Sequence, residues 1–394
     1  MEHENSVARP VPRTVSRLTD VLVEAGPTHR AVLARVLGLS RTRIGSVVAD
    51  LVRQGVLTEL AGAGDRSIDG RAGPRVALSD RLGVVAGIQI ITTHTYVVLQ
   101  SVAGELLAER RRDRPLDPGT GEERFAIAAE LVDECLRDAG QQRLAAVGIG
   151  AFGQIDPDTG VVTTRPNGLW WGVNVRDLAR QTFGVPAVLQ NNTRLDAIAE
   201  ATWGAAKGLS PVLSIGLGRG LTANTVIDGK PLIGAHGGGG ELGHTTIDIH
   251  GELCSCGGRG CLWMTASATA IVNRLRNTVG DDWETIIRAA DDGNPAAVHA
   301  FLDAADVLGI SIASLANIID PAVIVVGGDM LRSGPRFLER IITQVHDHSP
   351  TASRQAQIVP AMYGGTGEGG SLAAALLARR RAIENLRLGS RSTV

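Results

Sequence analysis

The chain of 394 residues has few cysteines and almost no lysine. Lys207 and Lys230 are its only lysines, so nearly all of its positive charge is arginine. Together with abundant alanine, glycine and valine, this skew is typical of a GC-rich genome, and the arginine content alone is poor evidence for nucleic-acid binding. The formal net charge of −2 excludes no class of partner.

Signals for export or membrane insertion are also missing from the sequence. Residues 1–14 are polar and contain arginine, without the apolar core of a signal peptide. No uninterrupted apolar run reaches the roughly 18 residues that a membrane span needs. We therefore expect a soluble cytoplasmic protein that does not contact a membrane, with a length that suits about two or three domains.

Three of the four cysteines lie close together. Cys254, Cys256 and Cys261 follow His244, and thiolates with an imidazole are the donors that a closed tetrahedral zinc site uses. In a reducing compartment, clustered cysteines are more often metal ligands than disulfides. Unligated thiols and a catalytic cysteine are the alternatives. The isolated Cys135 is expected to be a small buried residue of an amphipathic helix.

The N-terminal segment differs in charge from the rest of the chain. Between Arg9 and Arg75 there are eleven arginines and six acidic residues, and the remainder of the chain is acidic. Such an asymmetry between segments is a hint of a nucleic-acid-binding module.

Helical periodicity and turn residues divide this segment into a small domain, residues 1–80. The predicted helices span 15–25, 30–37 and 41–54, and the predicted strands span 56–60 and 75–78. Two helices, a glycine-containing turn, a third helix and a hairpin rich in glycine and arginine form a winged helix-turn-helix domain.

The third predicted helix contains most of the candidate DNA contacts. Ser40 is its candidate N-cap, and apolar residues from Ile44 to Val52 recur with a helical period. Once that stripe is buried, the N-terminal end of the helix can meet base edges and phosphates, and the hairpin can reach an adjacent groove. The predicted DNA-binding residues are Ser40, Arg41, Thr42, Arg43, Ser46, Arg66 and Arg71. A solvated arginine face on an interaction module is the alternative.

From about residue 81 the sequence changes to long apolar stretches rich in glycine. Residues 84–107 predict a meander of three strands, and a similar unit recurs over 212–232. Each meander continues into mixed helices and strands. The two halves predict a duplicated α/β architecture with a cleft between two lobes, about 81–205 and 206–394.

Several motifs of this region resemble those of the ROK family, which comprises repressors, open reading frames and sugar kinases. The motifs are Gly240-Glu241-Leu242-Gly243-His244, Cys254-x-Cys256-Gly257-x-Arg259-Gly260-Cys261, Gly216-x-Gly218-x-Gly220, Val326-Gly327-Gly328 and Gln190-Asn191-Asn192. The resemblance covers most of the chain from about Val84 onward and implies an actin-like, hexokinase-like α/β fold. A winged helix in front of this fold is typical of the repressor branch.

The resemblance also implies a metal centre and a ligand site. One structural zinc ion per chain would be held by His244, Cys254, Cys256 and Cys261 in a loop spanning 240–267. In the sugar-binding relatives, matching residues hydrogen-bond sugar hydroxyls. The implied ligand-binding residues are Asn167, Asn191, Asn192, Glu241 and His244, with Trp263 at the position of a glutamate. Because an indole has one donor and no acceptor, Trp263 either stacks on the apolar face of a sugar ring or fills the pocket.

The chain departs from the kinases of that family at three places. Asn192 occupies the position of the aspartate that acts as the base, and an amide has no oxygen of useful basicity. The first meander has Gln89-Ile90-Ile91-Thr92-Thr93 instead of Asp-x-Gly-Gly-Thr, so the metal-holding acid and the phosphate-binding glycines are missing. Leu217 replaces a threonine hydroxyl. We therefore predict no catalytic residues and no enzyme activity.

These features favour a DNA-binding transcriptional regulator, a repressor in preference to an activator. Its kinase-like body is expected to form a homodimer and to sense a carbohydrate or a related small molecule. Two-fold pairing of the recognition helices predicts a palindromic double-stranded operator. The competing hypotheses are an ATP-dependent sugar kinase with an accessory DNA-binding domain and a ligand-independent regulator or interaction module.

Overall fold

The chain forms two compact units, and each is discontinuous in sequence. The computed structural model describes residues 13–60, 74–91, 93–113, 120–163, 170, 172–350 and 353–389. Unit 1 comprises Met1–Ala151, Val175–Gln190 and Ser371–Val394, and unit 2 comprises Phe152–Asn174 and Asn191–Gly370. The sequence instead predicts a single division between the lobes, near residue 206. The predicted and observed divisions differ because the chain passes between the units more than once. Changes of composition along the sequence do not indicate these crossings.

The N-terminal part of unit 1 has the expected winged-helix order. Its helices are α1 (Arg13–Ala25), α2 (Arg30–Leu37) and α3 (Arg41–Arg53), and its strands are β1 (Thr28–His29), β2 (Leu57–Leu60) and β3 (Arg75–Leu78). The strands pair antiparallel in the order β1-β3-β2. Strand β1 was not predicted, because two residues are too few for a periodic signal.

Local signals in the sequence set the bounds of α3. The Ser40 hydroxyl accepts a hydrogen bond from the Arg43 amide at 3.2 Å, which makes Ser40 the N-cap. Ile44, Val48 and Leu51 are buried and form the inner face of the helix. As a result, the N-terminal end of α3 is exposed to solvent.

A five-stranded sheet forms the body of unit 1. Its strands are β4 (Val84–Ile90), β5 (His94–Ser101), β6 (Leu106–Asp113), β7 (Leu144–Ala151) and β8 (Ala187–Asn191), in the order β6-β5-β4-β7-β8. Strands β4, β5 and β6 form the predicted antiparallel meander, and β7 pairs parallel with β4. Helix α4 (Gly121–Asp138) contains the buried Cys135 and follows the meander, and α5 (Val175–Phe183) precedes β8.

Helix α12 (Glu368–Gly389) packs directly on this sheet. A Cβ atom on Gly87 of β4 would lie 2.0 Å from the carbonyl oxygen of Ser371, and one on Gly148 of β7 would lie 1.9 Å from that of Ala374. Only glycine permits a helix backbone to approach a strand so closely.

Two neighbouring arginines bind α12 to other parts of unit 1. The buried Arg379 donates from Nε to the Val102 carbonyl at 2.9 Å and from Nη2 to the Ala103 carbonyl at 3.0 Å. Arg380 pairs with Glu24 of α1. Helix α12 therefore contacts both the sheet and the winged helix.

Unit 2 contains a second five-stranded sheet. Its strands are β9 (Val212–Leu217), β10 (Leu221–Ile227), β11 (Lys230–Pro231), β12 (Val323–Gly327) and β13 (Gln357–Pro360), in the order β11-β10-β9-β12-β13. The first three pair antiparallel, and β12 pairs parallel with β9 and β13. An antiparallel meander beside a parallel strand repeats the pattern of unit 1, so the predicted duplicated architecture is confirmed.

Helices surround this second sheet. They are α6 (Asn192–Thr202), α7 (Leu262–Ala266), α8 (Ala268–Leu275), α9 (Trp283–Asp291), α10 (Pro295–Ile319) and α11 (Pro335–Asp347). By length and composition alone, α10 could cross a membrane. However, its Phe301, Leu308 and Ile312 are buried in the apolar core of unit 2, as in the core helix of a soluble protein.

Candidate metal centre and ligand site

A short turn of 3-10 helix, Leu242–His244, begins the predicted zinc loop. The His244 amide donates to the Glu241 carbonyl at 3.0 Å, so Glu241 and His244 lie on one turn. Glu241 is half-buried. Any metal that fixes His244 therefore also fixes the backbone next to this carboxylate.

His244, Cys254, Cys256 and Cys261 lie together as one cluster. Nδ1 of His244 is 3.7 Å from Sγ of Cys254, Sγ of Cys256 is 3.6 Å from Sγ of Cys261, and all four donor atoms lie within 4.8 Å of one another. Donors around a tetrahedral zinc with Zn–S bonds of about 2.3 Å lie roughly 3.5–3.8 Å apart. The donor types and spacing therefore fit zinc.

The backbone of the loop returns Cys261 to the cluster. The Cys254 amide donates to the Gly258 carbonyl at 2.8 Å, which closes the turn that contains Cys256. Gly260 has a φ of 61°, and a Cβ atom on it would lie 1.6 Å from the Asp248 carbonyl oxygen. Burial and the neighbouring thiols raise the pKa of Cys261 to about 12. Binding of zinc would release protons from such thiols.

Asn191 and Asn192 lie at the start of α6. The Oδ1 atom of Asn191 accepts from the amides of Thr193 at 2.9 Å and Arg194 at 3.3 Å, and its Nδ2 donates to the Gly153 carbonyl at 2.9 Å. The Asn191 side chain therefore caps the helix. Asn192 is half-buried as the first helical residue.

Trp263 lies in α7, directly after the metal cluster. Its Nε1 donates to the carbonyl oxygen of Arg219 at 2.7 Å. Arg219 is in the turn between β9 and β10, where the Gly218 amide donates to the Gly220 carbonyl and the Ala268 amide to the Gly218 carbonyl, both at 3.0 Å. The one donor of the indole is thus bonded to the protein, and its ring remains the part that could contact a ligand.

In unit 1, the end of β4 and the start of β5 flank the segment that the family resemblance aligns with the phosphate-binding motif of the kinases. The Ile91 amide donates to the His94 carbonyl at 3.0 Å, and Arg124 donates to the Ile91 carbonyl at 3.0 Å. Gln89 is fully buried. Thr92 lies outside the described residues.

Arg194 is a buried residue beside the predicted ligand-binding residues, and the sequence did not indicate it. It is 3% exposed, and its Nη2 donates to the carbonyls of Gly237 and Gly239, each at 2.7 Å. Burial lowers the pKa of its guanidinium, and the nearby charge of Glu241 opposes that effect. Its partners are 43 and 45 residues away in sequence, so no local pattern distinguishes Arg194 from a surface arginine.

The predicted DNA-binding residues on α3 lie on one exposed end of that helix. Arg41, Thr42, Arg43 and Ser46 are all exposed, and Ser40 caps the helix. Arg66 and Arg71, and the predicted ligand residue Asn167, lie outside the described residues. The DNA-contacting and ligand-binding roles stay predictions.

The fold and the cluster together define a class of protein. A winged helix at the N-terminus, two similar five-stranded sheets and a His-Cys₃ cluster next to a half-buried glutamate are features of an actin-like, sugar-kinase-like fold preceded in sequence by a winged helix. The chain belongs to the ROK family, whose model matches residues 85–381.

Both repressors and kinases are similar to this chain. A xylose repressor from Caldicellulosiruptor bescii is 27% identical over 337 residues, covering 81% of this chain and 84% of the relative. The crystal structure of a ROK family glucokinase from Streptomyces griseus, in complex with glucose and AMPPNP, is 30% identical. It covers 76% of this chain and 100% of its own, with a TM-score of 0.64.

A third similarity includes the winged helix. The structure of a ROK family transcriptional regulator, a homologue of the E. coli MLC protein, covers 96% of this chain and 100% of its own, with a TM-score of 0.78. At 22% identity, this likeness concerns the fold.

Proposed function

We propose that this protein is a cytoplasmic transcriptional repressor that binds a palindromic operator as a homodimer, responds to a sugar and has no kinase activity. The observation that supports this most directly is the exposed, arginine-containing end of α3 in front of a ROK body. Similarity to a xylose repressor over most of both chains agrees with it.

DNA binding is supported by the geometry of α3. Because Ser40 caps the helix and Ile44 and Val48 are buried, Arg41 and Arg43 are exposed within its first turn. Arginine at the start of a recognition helix can bind phosphates and the edge of guanine. Two such helices in a symmetric dimer would contact half-sites about one helical turn apart.

Loss of catalysis is supported by two separate features. Asn192 has no basic group that could take a proton from a sugar hydroxyl. In unit 1, the turn after β4 lacks an acid, and the backbone of Ile91 is bonded to His94 and Arg124. Phosphoryl transfer needs backbone groups that bind phosphate and a carboxylate that binds its metal ion. Neither Asn192 nor the turn after β4 provides these groups.

A monosaccharide effector is supported by Glu241 and by the relatives. An ionised carboxylate accepts two hydroxyl protons, and Glu241 is held on the same turn as His244. If zinc occupies the cluster, its role would be structural, because four protein donors complete a tetrahedral site. One relative is a xylose repressor and another is a glucokinase whose structure contains glucose, so these two sugars are the first to test.

A footprint of the purified protein on genomic promoter fragments tests the proposal. We expect protection of an inverted repeat, and we expect D-xylose or D-glucose to release the DNA. Binding without sequence preference, with no inverted repeat protected, would support the interaction-module hypothesis instead. Phosphorylation of either sugar with ATP, faster than by an Asn192→Ala variant, would support the kinase hypothesis.

A further inference from the structure

The segment that leads into Glu241 is a run of glycines packed against the backbone of unit 2. Gly237 has a φ of 74°, and a Cβ atom on it would lie 2.0 Å from the Ile155 carbonyl oxygen. A Cβ atom on Gly239 would lie 2.8 Å from the Leu232 carbonyl oxygen. Gly237 and Gly239 of this glycine segment, Gly237–Gly240, therefore fit their surroundings only with hydrogen as the side chain.

Arg194 binds this glycine segment from the side of α6. One terminal nitrogen donates to both Gly237 and Gly239 carbonyls at 2.7 Å, and the residue is 3% exposed. A buried guanidinium needs hydrogen-bond partners, and backbone carbonyls two residues apart fix the curvature of the segment between them. The charge of Glu241 is close enough to affect the guanidinium.

The backbone around Arg194 is also held in place by hydrogen bonds. Its amide donates to Oδ1 of Asn191, the cap of α6. The Oγ1 atom of the adjacent Thr193 accepts from Nδ2 of Asn224 on β10 at 3.0 Å. On the other side, the Ala223 amide of β10 donates to the Gly240 carbonyl at 2.9 Å. Strand β10 thus supports both the helix start that bears Arg194 and the glycine segment that Arg194 binds.

We propose that Arg194 is a positioning residue for the effector site: it holds the glycine segment and so places the Glu241 carboxylate where it can accept hydrogen bonds from sugar hydroxyls. Glu241, two residues beyond Gly239, follows a segment whose curvature Arg194 determines. This inference rests on the proposed sugar-responsive function. It adds a residue that contacts no ligand but controls how tightly one binds.

Calorimetric titration with D-xylose and D-glucose tests the inference on the full chain. The variants are Arg194→Met, Arg194→Gln, Arg194→Lys, Glu241→Gln and the double variant Arg194→Met/Glu241→Gln. We expect Arg194→Met to weaken binding of the responding sugar by about tenfold or more, as loss of a charged hydrogen-bonding partner does. The double variant should bind no more weakly than Glu241→Gln alone, because Arg194 acts through Glu241. Bound zinc per chain and thermal melting report correct folding.

The outcomes separate this inference from the function on which it rests. No heat with the wild-type protein would overturn the sugar-responsive function and this inference with it. If the wild type binds a sugar and Arg194→Met binds it equally well, the role of Arg194 alone is overturned. The same holds if the fold-loss of affinity in the double variant equals the product of the two single fold-losses. If Arg194→Met does not fold, Arg194→Lys must bind the sugar more tightly than the neutral Arg194→Gln, and equal affinities overturn the inference.

Discussion

The indole N–H of Trp263 donates to the carbonyl oxygen of Arg219, 2.7 Å away. This bond joins the segment after the metal cluster to the turn between β9 and β10. The family resemblance places a sugar-binding glutamate at position 263. In this chain the polar group of the side chain at that position stabilises a turn of the protein itself.

Replacing Trp263 by phenylalanine removes this donor and keeps an aromatic ring. We expect the free energy of unfolding to fall by about 1 kcal/mol, the usual net value of one hydrogen bond, measured by urea unfolding. Arg219→Ala is the matched control, because the acceptor is a backbone atom and the Arg219 side chain is exposed. The control should change stability by less than about 0.5 kcal/mol. Equal stability of Trp263→Phe and wild type would contradict the role of the bond.

Arg41→Ala combined with Arg43→Ala should weaken operator binding by about tenfold or more, because each arginine can contact phosphate or a base edge. The slope of log affinity against log salt should also become shallower, by about one for each lost phosphate contact. Fluorescence anisotropy at several salt concentrations measures both quantities.

Arg53→Ala is the control for this pair. Arg53 is exposed at the opposite end of α3, where it pairs with Asp50. Operator affinity should stay close to wild type in this variant. If both proteins lose affinity equally, the N-terminal end of α3 is not the recognition surface.

Thiol reagents should distinguish the cluster from the lone cysteine. With zinc bound, we expect slow reaction at Cys254, Cys256 and Cys261, and removal of the metal by a chelator should make them reactive. Cys135 is fully buried, and burial raises the pKa of its thiol to about 11, so it should react only after unfolding. Titration with the reagent before chelation, after chelation and after unfolding measures the order in which the four thiols react.

A Cys135→Ser variant is the control for the thiol experiment, since it should alter only the count obtained after unfolding. Chelation should also lower the melting temperature of the wild type, because the metal contributes to ordering its loop. Rapid reaction of the cluster cysteines before chelation would argue against a closed zinc site.

Asn192→Asp should not produce a sugar kinase. The change supplies a carboxylate at the position of the base, but the turn after β4 still lacks the acid and the glycines that bind metal and phosphate. A coupled assay with ATP and D-glucose should give no turnover above background. A ROK glucokinase assayed in parallel shows that the conditions permit catalysis. Turnover by the variant would mean that Asn192 alone had removed activity.

Features set by short segments were predictable from the sequence. The bounds of α3 follow from Ser40 and the apolar period that begins at Ile44, and the spacing of the cysteines anticipated the cluster with His244. The family resemblance supplied the fold, which the comparisons confirm.

Features that depend on distant parts of the chain were not predictable in the same way. Arg194 has no local signal, because its partners are backbone carbonyls of the glycine segment. The sequence also did not predict which segments make up unit 1, because α12 belongs to this unit although it follows unit 2 in the chain. Whether Asn191 contacts a ligand could not be read from its residue type, because an asparagine at a helix start serves equally well as a cap.

The position of α12 also has a consequence for folding during synthesis. Arg379 lies 277 residues after its partner Val102, and all of the segment 191–370 is made between the first sheet and this helix. Until α12 leaves the ribosome, the bare glycine surfaces of β4 and β7 have no helix to cover them. N-terminal domains usually fold first, but here unit 2 can be completed while unit 1 still waits for its last helix. A nascent chain that has reached residue 370 would present this open sheet face to chaperones.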